Sequence, residues 1–155
     1  NKSLKKPIMI GDEVINVRSL LELKHPLQDG IIKEKDDMEL LWRYAITEKL
    51  KINEDKFPDM KCMLTEAPMN PNKNKEIMAE IIFEKIGMGA FNIEPQAKLT
   101  LLCEGRETGM VLDSGDGVTH CIPLYSNTIL HHHIRRLNLA GRSITDYLVK
   151  LLQVK

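Results

Sequence analysis

Residues 111–120 combine the residue types and the spacing that could carry chemistry. Gly115 and Gly117 permit turn conformations in which neighbouring backbone N–H groups converge on one point, and such a nest can hold a phosphate. Asp113 lies where the preceding strand would end, and Mg²⁺ takes few carboxylates because it keeps several waters. The stretch could therefore bind phosphate beside a hydrated metal ion. Taken without further context, an ordinary hairpin turn is the better interpretation.

Two common nucleotide-binding motifs are absent from the sequence, and a run of histidines does not indicate a metal site. The sequence contains neither G-x-x-x-x-G-K-[ST] nor G-x-G-x-x-G, so two common nucleotide-binding folds are disfavoured. His131, His132 and His133 are consecutive, and consecutive side chains point in different directions on a strand or a helix. A solvated or partly buried histidine run is therefore favoured over a metal site.

The turn must be positioned by the elements that flank it. Residues 108–112 and 118–125 are predicted to be antiparallel strands, with a tight turn over 113–117. We expect the N–H groups of residues 115–118 to point into one concavity. A buried strand is also predicted over 60–65, whereas residues 1–20 have the pattern of a short strand and a turn.

Helical spacing of apolar residues predicts the remaining elements. One helix is expected to be capped by Asp36 or Asp37, and a second to start with Asn70 as N-cap and Pro71 at its first position and to stop at Gly87. Further helices are predicted over 95–105 and 144–152. Strands that alternate with helices indicate an α/β protein. Six apolar residues of these elements are expected to be buried: Trp42, Ile81, Ile82, Leu101, Leu112 and Leu148.

Composition limits the classes of partner. The chain has 155 residues, 43% of them hydrophobic, and its apolar runs are far shorter than the roughly 20 residues of a membrane span. Its 22 basic and 22 acidic residues form no long block, so we expect no direct nucleic-acid partner. The first residues do not show a basic start followed by an apolar stretch and a small-residue cleavage site, which is the pattern of a secretion signal. We therefore expect neither export nor a membrane partner.

The residues described above carry a family resemblance. Residues 112–120, followed by Pro123 and Tyr125, resemble the second phosphate-binding loop of actins, and residues 139–148 and 64–71 resemble other actin segments in the same order. The sequence is therefore identified as a member of the actin family. Residues 18–22 and 68–74 are more similar to an actin-related protein, whereas Ala67 and residues 145–147 are more similar to conventional actin.

The resemblance implies an actin-like ATPase fold of the ribonuclease H-like type, present in part. Most of the first domain and the start of the second are expected in this chain. The implied divisions are a remnant of the small outer subdomain over 1–20, the core of the first domain over 21–103, and the start of the second domain over 104–155.

The same resemblance implies roles for individual residues, with ATP or ADP and Mg²⁺ or Ca²⁺ as cofactors. Gln96 matches the glutamine that orients the attacking water, and His120 matches the histidine that helps to hold it. Asp113 matches the aspartate in the outer shell of the metal, which it contacts through water. The backbone that cradles the β- and γ-phosphates is implied to be that of Gly115, Asp116, Gly117 and Val118.

Departures from the family pattern leave several functions open. Glu94 and Pro95 replace small and aliphatic residues before Gln96, and proline restricts the backbone there. Lys35, Asp29 and Ser143 differ from conventional actin, which disfavours filament formation.

The first hypothesis is an ATP-binding, slowly hydrolysing subunit of a cytoplasmic actin-nucleating or branching assembly, with actin, other actin-related subunits and complex-specific proteins as partners. The second is a non-catalytic actin-like scaffold of a chromatin-remodelling complex, which would be nuclear, or of an axonemal complex. A divergent conventional actin ranks third. Weak ATPase activity is expected of a complete protein and not of these 155 residues alone.

Overall fold

A computed structural model describes residues 8–28 and 30–153. They form two compact units. Unit 1 contains the described residues up to Cys62 together with Asn72–Phe91, and unit 2 contains Met63–Pro71 and the described residues from Asn92 onward. Asp29, one of the departures from conventional actin, lies outside the described residues.

Unit 1 is mainly helical. Its elements are a 3-10 helix (Gly11–Leu20), the short antiparallel strands β1 (Leu27–Gln28) and β2 (Ile31–Ile32), α1 (Lys35–Tyr44) with a π-helical extension (Ala45–Lys49), a 3-10 helix (Glu54–Asp59), and α2 (Asn72–Glu80) with a π-helical extension (Ile81–Ile86).

The core of unit 1 lies around the π-helical extension of α2. Ile81 and Ile82 are almost completely buried, as predicted, and α1 packs against this segment. Asn74 is a buried polar residue on α2. Its Oδ1 accepts the backbone N–H of Ile32 at 2.9 Å, and its Nδ2 donates to the carbonyl of Gly30 at 3.0 Å. The asparagine thereby satisfies backbone groups that would otherwise be costly to bury.

The two predicted helices of unit 1 exist, but their starts differ from the prediction. The first begins at Lys35 with Glu34 as its N-cap, so Asp36 and Asp37 lie inside the first turn. There they can still interact favourably with the helix dipole. The second begins at Asn72, one residue after Pro71. Its end is as predicted, because Gly87 adopts φ 85° at the C-cap.

The prediction of a short strand and a turn over residues 1–20 is wrong for residues 8–20, the part of this segment that the structure describes. Residues 8–10 pair with no strand among the described residues, and Gly11–Leu20 is a 3-10 helix. None of the apolar side chains described in this segment is buried, and Ile8, Ile15 and Leu20 are exposed; Ile8 retains 59% of its accessible surface. A short apolar run becomes a strand only when a sheet edge is available to pair with it.

The strands β3 (Lys61–Glu66) and β4 (Ala90–Pro95) form a separate two-stranded sheet. The strand predicted over 60–65 is therefore confirmed to within one residue, but its predicted burial is wrong, because its residues alternate between exposed and half-buried and Met63 retains 58% of its accessible surface. Both strands run from unit 1 residues into unit 2 residues. β4 leads directly into α3 (Gln96–Cys103), because Pro95 is extended at φ −62° and ψ 132° and serves as the N-cap of the helix.

Unit 2 is built on a four-stranded antiparallel sheet. β6 (Thr119–Tyr125) is the central strand and pairs with β5 (Gly109–Ser114) along one edge. β7 (Thr128–Ile129) and β8 (Arg135–Leu137) pair with opposite ends of its other edge. A 3-10 turn (His131–His133) lies between β7 and β8, and α4 (Gly141–Gln153) follows. The three histidines are exposed, in agreement with a solvated run.

One face of this sheet packs against α3. Ala97 and Leu101 of the helix form a buried cluster with Ile122, Leu124 and Ile134. Leu101 was predicted to be buried and is. Within residues 8–28 and 30–153, no helix has both the length and the apolar character needed to span a bilayer.

Two predicted core residues are instead exposed. Leu112 retains 68% and Leu148 54% of their accessible surface, while Trp42 is half-buried. Leu112 alternates with Val111 and Asp113 along β5 and so lies on the face that α3 does not cover. All residues described on α4 after Gly141 are exposed as well. The apolar spacing was correctly identified, but nothing in the described residues covers these faces.

Candidate phosphate-binding site

The predicted turn joins β5 and β6 as an antiparallel hairpin. Asp113 lies opposite His120 and Ser114 lies opposite Thr119, which leaves residues 115–118 as the loop. The hairpin is confirmed, with Asp113 at the end of a strand and not inside the turn. The N–H of Gly115 donates to the carbonyl of Val118 at 3.2 Å and closes the loop. The N–H of Gly115 is thus engaged within the loop, and convergence of the N–H groups of residues 116–118 on one ligand stays a prediction.

Backbone hydrogen bonds connect the loop to the start of α4. The N–H of Gly141 donates to the carbonyl of Gly115 at 3.0 Å, and the N–H of Arg142 donates to the carbonyl of Asp116 at 2.9 Å. Thr119 adds a side-chain bond from its Oγ1 to the carbonyl of Leu139 at 2.7 Å. The loop conformation is therefore fixed from outside the hairpin as well as from within it.

Three charged or titratable side chains form a row across the sheet. His120 on β6 lies between Asp113 on β5 and Arg136 on β8, each directly opposite it. His120 is buried, and this burial, together with the positive charge of Arg136, lowers the pKa of His120, while the charge of Asp113 acts in the opposite direction. His120 is therefore held mainly as the neutral imidazole near neutral pH, the form that can accept a proton or a hydrogen bond.

This pKa shift predicts a pH-dependent stability. In the unfolded chain His120 binds a proton near pH 6.5, whereas the folded protein binds it only at lower pH. The stabilisation is therefore complete above about pH 6.5, the pKa of the unfolded chain, and is lost as the pH falls from there through the lower pKa of the folded protein. Urea unfolding between pH 7.5 and 5.5, at fixed nucleotide concentration, should show a loss of stability that is smaller in His120→Gln. The exposed His132→Gln is the matched control and should keep the wild-type loss; equal behaviour of both variants would contradict the prediction.

Gln96 is the first residue of α3, and its side chain is exposed. Its Nε2 donates to the Oγ1 of Thr65 on β3 at 3.2 Å. Among residues 8–28 and 30–153, its side chain makes no hydrogen bond to Asp113 or His120. Just before it, Glu94 forms an ion pair with Lys98 at 3.0 Å, which lowers the pKa of Glu94. The structure thus groups Asp113, His120 and the loop, and places Gln96 at the start of the helix that packs on the same sheet.

The grouped residues fit a nucleotide phosphate and a hydrated cation. Asp113 supplies carboxylate oxygens, the type of ligand that Mg²⁺ and Ca²⁺ accept directly or through water. Gly115 has open surroundings, because a Cβ added there would meet only the carbonyl oxygen of Val118, at 4.0 Å. The described residues contain no cluster of three or more acidic, histidine or cysteine side chains that would coordinate a metal without help from a ligand. A cation bound mainly by phosphate and water suits this donor set.

Three residues that contact the candidate site were not predicted to take part in it. Thr65 bonds Gln96, Arg136 lies beside His120, and Arg142 contacts the loop. Arg142 was noticed only as part of a segment of family resemblance. These relationships depend on strand register and on contacts distant in sequence, so no local pattern could have indicated them.

The chain is similar to proteins of one family. The family model described as Actin matches residues 1–155. Actin-related protein 2 of Acanthamoeba castellanii is 49% identical over 150 residues, which cover 97% of this chain and 38% of that protein. Actin-related protein 2 of Saccharomyces cerevisiae is 49% identical and that of Schizosaccharomyces pombe 47% identical, each over 147 residues that cover 95% of this chain and 37% of the relative.

The chain thus spans less than two-fifths of the length of these curated relatives. Their name agrees with the similarity to an actin-related protein that residues 18–22 and 68–74 indicated. The mixed helices and antiparallel sheet agree with part of an actin-like ATPase fold. From the family match and these relatives, the chain belongs to the actin family.

Proposed function

We propose that this chain is part of an actin-related subunit of an actin-nucleating or branching assembly. The subunit binds ATP and hydrolyses it slowly. The observation that carries the proposal is the hairpin that places Asp113 opposite His120 beside a glycine-containing loop. Similarity to relatives named Actin-related protein 2 supports this choice within the family. Partners would be actin, other actin-related subunits and complex-specific proteins, and the assembly would belong to the cytoplasmic cytoskeleton.

The proposed chemistry is positioning combined with electrostatic stabilisation. The backbone of residues 115–118 would hold the β- and γ-phosphates, and Asp113 would orient waters of the cation that neutralises phosphate charge. Gln96 would orient the attacking water, with His120 helping to hold it. Neutral His120 can accept a hydrogen bond from that water.

The proposal requires Gln96 to turn from its present partner. The bond from Gln96 to Thr65 is 3.2 Å long and exposed, so exchanging it for a bond to water costs little. The Glu94–Lys98 ion pair and the extended Pro95 fix the backbone at the start of α3. Only the side chain of Gln96 would therefore have to rotate.

A second candidate function is a non-catalytic actin-like scaffold of a chromatin-remodelling or axonemal complex. The same Glu94–Pro95 segment favours it, because proline and the Glu94–Lys98 pair restrict a backbone that would have to move if nucleotide changed the conformation of the protein. Such a subunit could bind nucleotide without turnover. We rank it second because Asp113, Gln96 and His120 are all retained.

The native assembly distinguishes the two candidates. The protein, tagged at full length, should be purified with its neighbours, which are identified by mass spectrometry, and the assembly added to fluorescently labelled actin. The proposal predicts other actin-type subunits among the neighbours and a shorter lag before polymerisation. Remodelling or axonemal components, with an unchanged lag, would support the scaffold instead.

A further inference from the structure

An ion pair connects the end of β4 to the first turn of α3. Nζ of Lys98 lies 3.0 Å from Oε2 of Glu94, and both side chains are partly buried, retaining 29% and 25% of their accessible surface. Nδ2 of Asn92 also approaches the other carboxylate oxygen of Glu94, at 3.5 Å. The Glu94 carboxylate is therefore held from the strand on one side and from the helix on the other.

The start of α3 lacks an ordinary cap. Its N-cap residue is Pro95, which has no polar side chain with which to bind the N–H groups of the first turn. Residues 96–99 include no Asp or Glu that would interact favourably with the helix dipole. Glu94 brings a negative charge to this end of the helix from the strand, and Lys98 ties it to the first turn. The pair thus takes the place of a cap.

We propose that Glu94 and Lys98 are positioning residues, whose ion pair holds Gln96 in place for the hydrolysis of ATP. Gln96 is the first residue of α3 and lies between them in sequence, so their contact restrains the backbone that carries its side chain. Pro95 by itself fixes only the backbone angle φ. The pair acts through Gln96 and not on the nucleotide. This inference rests on the proposed function, since it concerns the same reaction.

Breaking the pair should slow hydrolysis without weakening nucleotide binding. In the full-length protein, Glu94→Gln is expected to hydrolyse ATP about threefold to fivefold more slowly, an effect of the size that a partly exposed ion pair supports. Mg-ATP affinity should be unchanged, because a group that orients water acts mainly in the transition state. Lys98→Gln should have the same effect, since it removes the other half of the pair. Single-turnover hydrolysis and titration calorimetry provide the two measurements.

The double variant Glu94→Gln/Gln96→Ala separates positioning from a general loss of structure. If the pair acts only through Gln96, Glu94→Gln should not slow hydrolysis further once Gln96 is replaced, so the two losses should not add. An effect on the whole fold would instead multiply the two losses. Glu80→Gln is the matched control, because it breaks a glutamate–lysine pair with Lys35 in unit 1, and it should hydrolyse ATP at the wild-type rate.

The outcomes distinguish this inference from the proposed function. Hydrolysis at the wild-type rate in Glu94→Gln would overturn the inference while leaving the proposed function intact, as would a loss of the same size with and without Gln96. A Gln96→Ala variant that hydrolyses ATP as fast as wild type would overturn the proposed role of Gln96, and the inference with it. Slower hydrolysis at unchanged affinity, which disappears when Gln96 is alanine, would establish the role of the pair.

Discussion

Replacing Gln96 by alanine in the full-length protein is expected to slow ATP hydrolysis about a hundredfold and to leave ATP affinity nearly unchanged. The reason is that a group which orients the attacking water acts mainly in the transition state, and misplacing a reactant by about 1 Å can cost a factor of that size. Single-turnover hydrolysis and equilibrium titration, done on the same preparations, measure the two quantities separately.

Two further variants make this result specific to Gln96. Gln153 is an exposed glutamine on α4, and Gln153→Ala should hydrolyse ATP at the wild-type rate. Thr65→Val removes the present partner of Gln96 and should not slow hydrolysis, since the proposed role requires Gln96 to leave that bond. Equal losses of affinity and rate in Gln96→Ala would indicate a structural glutamine and contradict the proposed role.

Gly89→Ala is expected to destabilise unit 1 by about 3 kcal/mol or more. A Cβ at this position would lie 1.9 Å from the carbonyl oxygen of Pro58, and a backbone atom cannot move aside as the end of a side chain can. The N–H of Gly89 also donates to the carbonyls of Phe57 and Met60, so a shift of the backbone at Gly89 would break these bonds. Urea unfolding should show a lower midpoint, accompanied by poor soluble expression.

Gly87→Ala is the matched control. Gly87 has φ 85° but nothing within 4 Å of an added Cβ, so only the backbone penalty of about 1 kcal/mol applies. The variant should unfold at a midpoint between those of Gly89→Ala and wild type. Similar midpoints for the two glycine variants would show that steric contact with Pro58 does not set the requirement for glycine at position 89.

The parts of the fold that could be predicted are those specified by neighbouring residues. The hairpin around residues 113–119 follows from two β-rich segments separated by glycine and aspartate, and Gly87 ends its helix because glycine adopts the left-handed cap at the lowest cost. The burial of Ile81 and Ile82 follows from their helical spacing. Each of these features is specified within a few residues, so a single sequence contains the necessary information.

The features that could not be predicted depend on distant parts of the molecule. Leu112 lies on a strand face that α3 does not cover, and the apolar residues of α4 have no covering element among those described. Periodicity identifies an apolar face but not its neighbour. The same limit explains why Arg136 and Arg142 were not assigned to the site, since their positions are set by strand pairing and by the return of α4 to the loop.

The central claim is that the hairpin of Asp113 and His120 forms part of a nucleotide site, and Mg-ATP titration of the full-length Asp113→Asn variant tests it most directly. Loss of an outer-shell partner commonly weakens metal binding tenfold or more, so the affinity for Mg-ATP should fall by about tenfold. Asp36→Asn, which alters an exposed aspartate of α1, should bind like wild type. Unchanged Mg-ATP affinity in Asp113→Asn, or no binding by the wild-type protein, would contradict the assignment of this hairpin to nucleotide binding.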